Sequence, residues 1–256
     1  MDSITLSASI VVYQDAAVAV EACRSLLEHT VKYPLHLYVI DNASPDGSAD
    51  VLETVNGIDL IRLPKNVGFG AAHNTVLQKA LGKYHFVVNP DITVGSDVLS
   101  DFADFLEENS DISLAMPRIL NEDGTEQHLP KEVPTFKRMF LGRLAPLGGA
   151  FARIRREYTR ADTVWDGVTE IDFCSGCFMA LSAETFRKLG GFDRRFFMYL
   201  EDADLTLRAK ALGKTVLVPQ FAVTHRWKRE SAKNIKCLII HLSSSVKFLR
   251  KRRTSL

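Results

Sequence analysis

Three carboxylates stand directly behind a run of bulky apolar residues. Phe196, Phe197, Met198, Tyr199 and Leu200 are followed by Glu201, Asp202 and, one residue on, Asp204. Carboxylates are rarely buried unless they are paired, so the segment GGFDRRFFMYLEDADLTLRAKALG (190–213) is a place to look for chemistry. Part of it has an ordinary explanation. The spacing of Leu205, Ala209 and Leu212 predicts a helix from 201 to 212. Acids in a first turn are favoured by the helix dipole, and Asp204 lies four residues before Arg208, in pairing position. Glu201 and Asp202 stay unaccounted for, open between a solvated helix start and an active-site pair.

Other polar residues sit where strands should end. Asp41 closes HLYVID (36–41) and can accept from a base or ribose hydroxyl, whereas Asp46, within NASPDG, reads as turn chemistry before a helix. Asn42-Ala-Ser44 also matches a glycosylation sequon, of no consequence in a chain expected in the cytoplasm. The stretch NVGFGAAHN (66–74) has Gly68 and Gly70 but His73 where the dinucleotide fingerprint needs a third glycine. It still suits close approach to a phosphate or ribose. In NPD, Asn89 and Asp91 flank a rigid proline and can offer oxygens to one point, as a hard divalent cation carrying a diphosphate requires. His225 closes AVTH, with Trp227 close behind, and is a candidate metal ligand. Cys174 and Cys177 form a lone CxxC, better read as two small buried residues than as half a zinc site.

The elements that must position these groups are legible in the first half of the chain. Apolar runs at 8–13, 36–41, 58–63, 84–89 and 112–116 read as strands, with helical segments near 17–29, 47–55, 70–81 and 97–109 between them. Such alternation predicts an α/β, Rossmann-like, mostly parallel sheet flanked by helices, with ligands beyond the carboxyl ends of the strands. The pattern breaks after Pro117: residues 121–163 are polar, then basic and apolar together. Order returns with a pair of short strands in TEIDFCSGCFMALS (169–182), pivoting near Gly176, then strands at 214–219 and 222–225 and a final helix near 231–250. This divides the chain into a domain over 1–225, with 121–163 as a variable insert, and a basic helical tail over 226–256.

A formal charge of +1 hides an asymmetry, since the tail holds ten Lys or Arg against one acid. Ile235, Leu238, Ile239, Leu242, Val246 and Leu249 recur at helical spacing, a stripe expected to pack on the core at least before Leu242. The end, KFLRKRR, has too little apolar content for core and suits an anionic membrane surface. No apolar run is long enough to span a bilayer, and the opening MDSITLSASIVVY lacks a basic start, which predicts a cytoplasmic chain, peripheral on the inner face of the plasma membrane.

Taken together, VIDNASPDGS (39–48), NVGFGAAHN (66–74), VVNPDI (87–92), FCSGCFMALS (173–182), the 190–213 segment and VTH (223–225) resemble family 2 glycosyltransferases of the GT-A fold. The resemblance is strongest to the bacterial rhamnosyltransferases of O-antigen and cell-wall polysaccharide assembly. It implies Asp41 as the contact to the nucleotide base, with Tyr13, Asn66, Gly68, Asn74, Asn89 and Asp91 also on the nucleotide-sugar. It implies Asp91, the surviving aspartate of a DxD motif whose first position is Asn89, and His225 as holders of a divalent cation (Mn²⁺ or Mg²⁺). Asp202 resembles the catalytic base, with Glu201 beside it, and Phe197, Tyr199 and Trp227 would wall the acceptor pocket. The implied partners are a nucleotide-sugar donor, a lipid-linked saccharide acceptor and the membrane surface, with no nucleic acid among them. The implied reaction is inverting transfer of L-rhamnose from dTDP-rhamnose. A transferase of another sugar from a UDP donor stays open on the same scaffold. A nicotinamide-dependent oxidoreductase and a non-catalytic scaffold are further alternatives from other classes.

Overall fold

The computed structural model describes residues 4–79, 81–226 and 235–254. The first half builds as alternation requires: β1 (Leu6–Val12), α1 (Ala16–His29), β2 (Leu35–Asp41), α2 (Ser48–Glu53), β3 (Ile58–Arg62), α3 (Phe69–His73), β4 (Tyr84–Val88), β5 (Ile92–Thr93), α4 (Val98–Glu108) and β6 (Ile112–Leu120). The second half adds α5 (Gly149–Thr159), β7 (Thr169–Glu170), β8 (Phe178–Ser182), α6 (Ala183–Lys188), α7 (Glu201–Ala209), β9 (Lys214–His225) and α8 (Ile235–Thr254). The strands form one sheet in the order β3-β2-β1-β4-β8-β6-β9-β5, with β7 against β9. Strands β1 to β4 run parallel, and every residue of β1 is buried, as in a strand covered on both faces.

Four expectations are corrected. The two short strands of 169–182 do not pair with each other: β7 lies on β9, while the buried strand β8 fills the sheet antiparallel to β4 and β6. The strands expected at 214–219 and 222–225 are one strand, β9. Its register against β6 slips between Val218 and Ala222, where Pro219 lacks an N–H to hold a regular ladder, and pairing resumes as β6 runs on to Leu120. The helix expected at 70–81 is only the single turn α3, followed by a 3₁₀ turn over Asn74–Gln78. The tail helix, whose expected start at 231–234 lies outside the described residues, runs past 250 to Thr254.

The insert folds as a short π-turn (Lys137–Leu141), a 3₁₀ turn (Gly142–Leu147) and α5. It is tied in by a second, small core of Met139, Phe173, Phe196, Leu200, Ala203 and Phe248. That core joins the insert, the aromatic run, α7 and α8, and each fully buried Phe in it contributes about 1.5–3 kcal/mol. Phe248 is 1 % exposed, so the KFLRKRR end does contribute to core. The stripe expected to pack inward does the opposite, leaving Ile235 67 % and Ile239 60 % exposed. Helix α8 docks through the other side, by Phe248 and by Ser244 donating to the Met198 carbonyl at 2.8 Å.

Candidate active site

The crevice at the carboxyl ends of β1 to β3 is built from loops stitched by side chains. Asp41, the last residue of β2, is buried and accepts the Ser44 N–H at 3.2 Å. Ser44 Oγ accepts the Gln14 N–H at 2.9 Å, and Asp46 accepts the Asp15 N–H at 3.1 Å. Asp46 also accepts the Ser48 hydroxyl at 2.6 Å, which holds its carboxyl below the usual range, so it does serve the turn. Tyr13 leaves β1 on this rim, 49 % exposed. Asn42 then fastens the next loop: its Oδ1 accepts the Val67 N–H at 2.9 Å and its Nδ2 donates to Asn66 Oδ1 at 3.1 Å. Asn66 Oδ1 also accepts the Gly68 N–H at 3.0 Å. Sequence reasoning passed over Asn42 because its context suggested only a sequon.

Gly68 is the joint between this crevice and the carboxylates. Its φ is +88°, and a Cβ there would lie 2.1 Å from the Phe197 carbonyl oxygen. That oxygen accepts the Phe69 N–H at 2.8 Å. Only glycine lets the two backbones meet this way. Asn74 does not reach the crevice. It is buried, and both ends of its carboxamide are taken by Phe192, the carbonyl at 2.7 Å and the N–H at 2.8 Å. The donor contact expected of Asn74 is replaced by a clamp that holds the GGF turn, which also explains why the helix over 70–81 tightens at this point.

Asp91 and His225 meet across the β5–β9 pair, with Asp91 Oδ1 and His225 Nε2 at 3.2 Å. Asp91 Oδ1 is buried and accepts no hydrogen bond. An anionic oxygen and an imidazole nitrogen turned to one point form a donor set that fits a divalent cation. Among the described residues no group of three or more His, Cys, Asp or Glu could hold one alone. Two protein ligands are nonetheless what a cation shared with substrate phosphates uses.

The loop 174–177 connects this pair to the carboxylates. The Cys177 carbonyl accepts the Asn89 N–H at 2.8 Å, and the neighbouring Gly176 N–H donates to Asp202 Oδ2 at 3.1 Å. One peptide segment thus fixes both NPD and Asp202. Burial pushes the Cys177 thiol up to about 12, with the charges of Asp91 and Asp202 both adding. Cys174 is raised for the same first reason, so both cysteines are inert, and they are free.

The carboxylates themselves are presented by a strained turn. Tyr199 and Leu200 have φ of 71° and 67°, a costly conformation for bulky residues. The strain is held from both sides, by the Phe69–Phe197 bond and by α8, where Tyr199 packs on His241 at 5.2 Å. Of the aromatic run, Phe197 is exposed and Tyr199 half-buried, while Phe196 belongs to the small core. Trp227 lies outside the described residues.

Glu201 and Asp202 are both raised, first by burial. They differ in what opposes burial. Asp202 accepts the Gly176 N–H and the Ala203 N–H (2.9 Å) and lies near Lys131, all of which favour its anion. Glu201 Oε2 is buried without a partner, and the Asp202 charge raises it further. Burial and the neighbouring charge therefore favour the proton on Glu201, and Asp202 is the better stabilised anion of the two. Lys131 comes from the polar start of the insert, 5.3 Å over the Phe173 ring, and no periodic signal marked it. Asp204 pairs with Arg208 at 2.8 Å as expected, and also with Lys251 of α8.

A mostly parallel, helix-flanked sheet with a bridged acid and histidine at its carboxyl edge is the GT-A fold of glycosyltransferases. It overlays on GalNAc-T7 determined with UDP, GalNAc and Mn²⁺, with TM-score 0.69 and 16% identity over 97% of this chain and 48% of that one. It also overlays on the mannosyltransferase PcManGT of Pyrobaculum calidifontis in complex with GDP-Man and Mn²⁺, with TM-score 0.61 and 16% identity over 89% of this chain and 58% of the other. This chain thus spans about half the length of those two proteins. Residues 7–190 match the description "Glycosyl transferase family 2", and the chain belongs to that family. It is 26% identical over 237 residues to the N-acetylglucosaminyl-diphospho-decaprenol L-rhamnosyltransferase of Mycobacterium tuberculosis, covering 86% of this chain and 76% of that protein. It is also 26% identical over 197 residues to the rhamnosyltransferase WbbL of Escherichia coli K12, covering 73% and 71% respectively.

Proposed function

We propose that this glycosyltransferase moves L-rhamnose from a dTDP-linked donor to a lipid-pyrophosphate-linked saccharide with inversion at the anomeric carbon. The supporting observation is the 174–177 loop, which fastens the donor-side NPD segment and the base Asp202 through adjacent residues. The names of the two rhamnosyltransferase relatives support the choice of sugar. Asp41, Asn66 and Gly68, with Tyr13 on the rim, take the nucleoside. Asn89 and Asp91 face the diphosphate, and Phe197 and Tyr199 line the acceptor side. Asp202 removes the proton of the acceptor hydroxyl as its oxygen bonds to the anomeric carbon and the bond to the diphosphate breaks. A divalent cation held by Asp91 and His225 would offset the charge appearing on the leaving diphosphate. A single attack from the side opposite the leaving group inverts the centre.

The acceptor's lipid places the reaction at a membrane surface, and α8 suits that setting. Ile235, Ile239, Leu242 and Val246 form an exposed apolar stripe, with Lys236 and Arg250 on the same helix. Two cations of its end are spent on the protein: Lys247 donates to the Arg195 carbonyl at 2.8 Å, and Lys251 pairs with Asp193 at 2.8 Å and with Asp204. Among the described residues no helix is long and apolar enough to cross a membrane.

The deciding experiment is transfer from dTDP-rhamnose, UDP-GlcNAc and UDP-galactose to a lipid-pyrophosphate N-acetylglucosamine, with and without Mn²⁺. The expected product is an inverted rhamnoside formed from dTDP-rhamnose alone. Transfer from a UDP donor instead overturns the choice of sugar, and activity untouched by a chelator removes the cation.

A further inference from the structure

Gln127 sits in the insert, seven residues past the end of β6, with no role in the site as read so far. A tight turn returns the chain to it: the Asn121 N–H donates to the Thr125 carbonyl and the Gln127 N–H to the Ile119 carbonyl, both at 2.8 Å. The side chain is buried against the end of β9. Its Nε2 donates to the His225 carbonyl and to Asn121 Oδ1, both at 2.8 Å, and its Oε1 lies 2.9 Å from His225 Nδ1.

These contacts fix a proton. Reversing the Gln127 amide would set its oxygen against the His225 carbonyl oxygen, two acceptors with no hydrogen between them. Nε2 must therefore face the carbonyl, and Oε1 must face Nδ1. An amide oxygen only accepts, so Nδ1 carries the hydrogen. In the neutral ring Nε2 is then a bare lone pair, held 3.2 Å from the buried Asp91 Oδ1, which accepts no hydrogen bond. Two electron-rich atoms so placed call for a positive charge between them.

We propose that Gln127 is a positioning residue for the cation seat, holding His225 in the Nδ1–H tautomer so that Nε2 and Asp91 Oδ1 present lone pairs to one divalent ion. The inference rests on the reading of Asp91 and His225 as cation holders. Outer hydrogen bonds of this kind fix ring orientation and ligand basicity, and their loss typically costs 10–100-fold in metal affinity. Gln127 also couples the 121–163 insert to the rest of the site.

Two measurements test it on the full chain. In metal-free protein labelled with ¹⁵N-histidine, the His225 ring should show the Nδ1–H tautomer. Gln127→Leu should release it to Nε2–H, donating to Asp91. In titrations of Mn²⁺ into protein saturated with dTDP, Gln127→Leu should weaken Mn²⁺ about 10–100-fold. An Nε2–H ring in the wild type overturns the proposal. So does wild-type Mn²⁺ affinity in folded Gln127→Leu when His225→Ala has lost it. If His225→Ala binds Mn²⁺ as tightly as the wild type, the cation reading itself fails, and the tautomer measurement alone then decides whether Gln127 sets the ring.

Discussion

The sides of this molecule proposed for donor and acceptor are held together by different means. On the donor side, β1 to β4 lie parallel in the main core, and the loops after successive strands are fixed to one another by bonds from Asn42, Ser44 and Asp46, with Asn66 closing its own turn. On the acceptor side, the insert, the aromatic run and α8 come from segments far apart in sequence. A core of six buried residues and the Lys251 ion pairs join them. In the proposed reaction the first side would take the nucleoside diphosphate and the second the acceptor, around the Asp202 carboxylate. The two sides meet where Gly68 lies against Phe197, where Asn74 clamps Phe192, and where the 174–177 loop holds both Asn89 and Asp202.

The largest effect should come from removing the base and leaving both sides intact. Asp202→Asn keeps the acceptor of the Gly176 N–H but cannot take a proton, so transfer should fall by on the order of 10²-fold or more with donor binding unchanged. Near-wild-type turnover would remove Asp202 from the role. Lys131→Met sharpens the same point. With burial raising Asp202 and Lys131 opposing it, loss of the amine should move the acid limb of kcat/KM to higher pH, and Lys131→Arg should restore it. An unmoved limb would mean that the insert does not tune the base.

Breaking the first joint should show how far the two sides depend on each other. A methyl group on Gly68 meets the Phe197 carbonyl and a backbone that only glycine adopts freely, a strain of about 1–3 kcal/mol before any clash. Gly68→Ala should lower the melting temperature and reduce transfer more than nucleotide binding, because the displaced Phe197 carries the turn at Tyr199 and Leu200 with it. Gly95→Ala is the control, with open space at its Cβ. Equal losses in nucleotide binding and transfer would mean that the joint supports the donor crevice instead.

The same contrast decides what could be read without coordinates. The strands β1 to β4 are legible, and with them the places of Asp41 at the end of β2 and of Asp91 just past β4, because buried parallel strands are unbroken apolar runs. Asp204 is legible as the partner of Arg208 through helical spacing alone. The roles of Lys131 and Gln127 are not, since both stand in an aperiodic polar stretch and act across more than seventy residues of sequence. Asn74 misleads for the opposite reason: it occupies a ligand-like place in NVGFGAAHN, yet its carboxamide is consumed by Phe192. The stripe of α8 has the right period, but period does not say which face meets the protein. Small, hydrogen-bonding Ser244 and bulky Phe248 take that side.

The smallest effect expected is also the cleanest separation of the two carboxylates. Glu201 is raised well above its ordinary range by burial and by Asp202, so the folded protein holds this proton more tightly than the unfolded chain does. The stability linked to it is complete below the unfolded value of about 4.3 and declines as pH rises from there toward the raised value. Glutamine cannot titrate and so removes its share of that decline. Relative to wild type, Glu201→Gln should gain in melting temperature between mildly acidic and mildly alkaline pH, by a few degrees at most for a domain of this size. Its acid limb for transfer should stay where the wild type has it, because Glu201 carries no charge while Asp202 works. A limb that shifts with Glu201→Gln would mean that the two carboxyls share one proton, and the base would then be the pair.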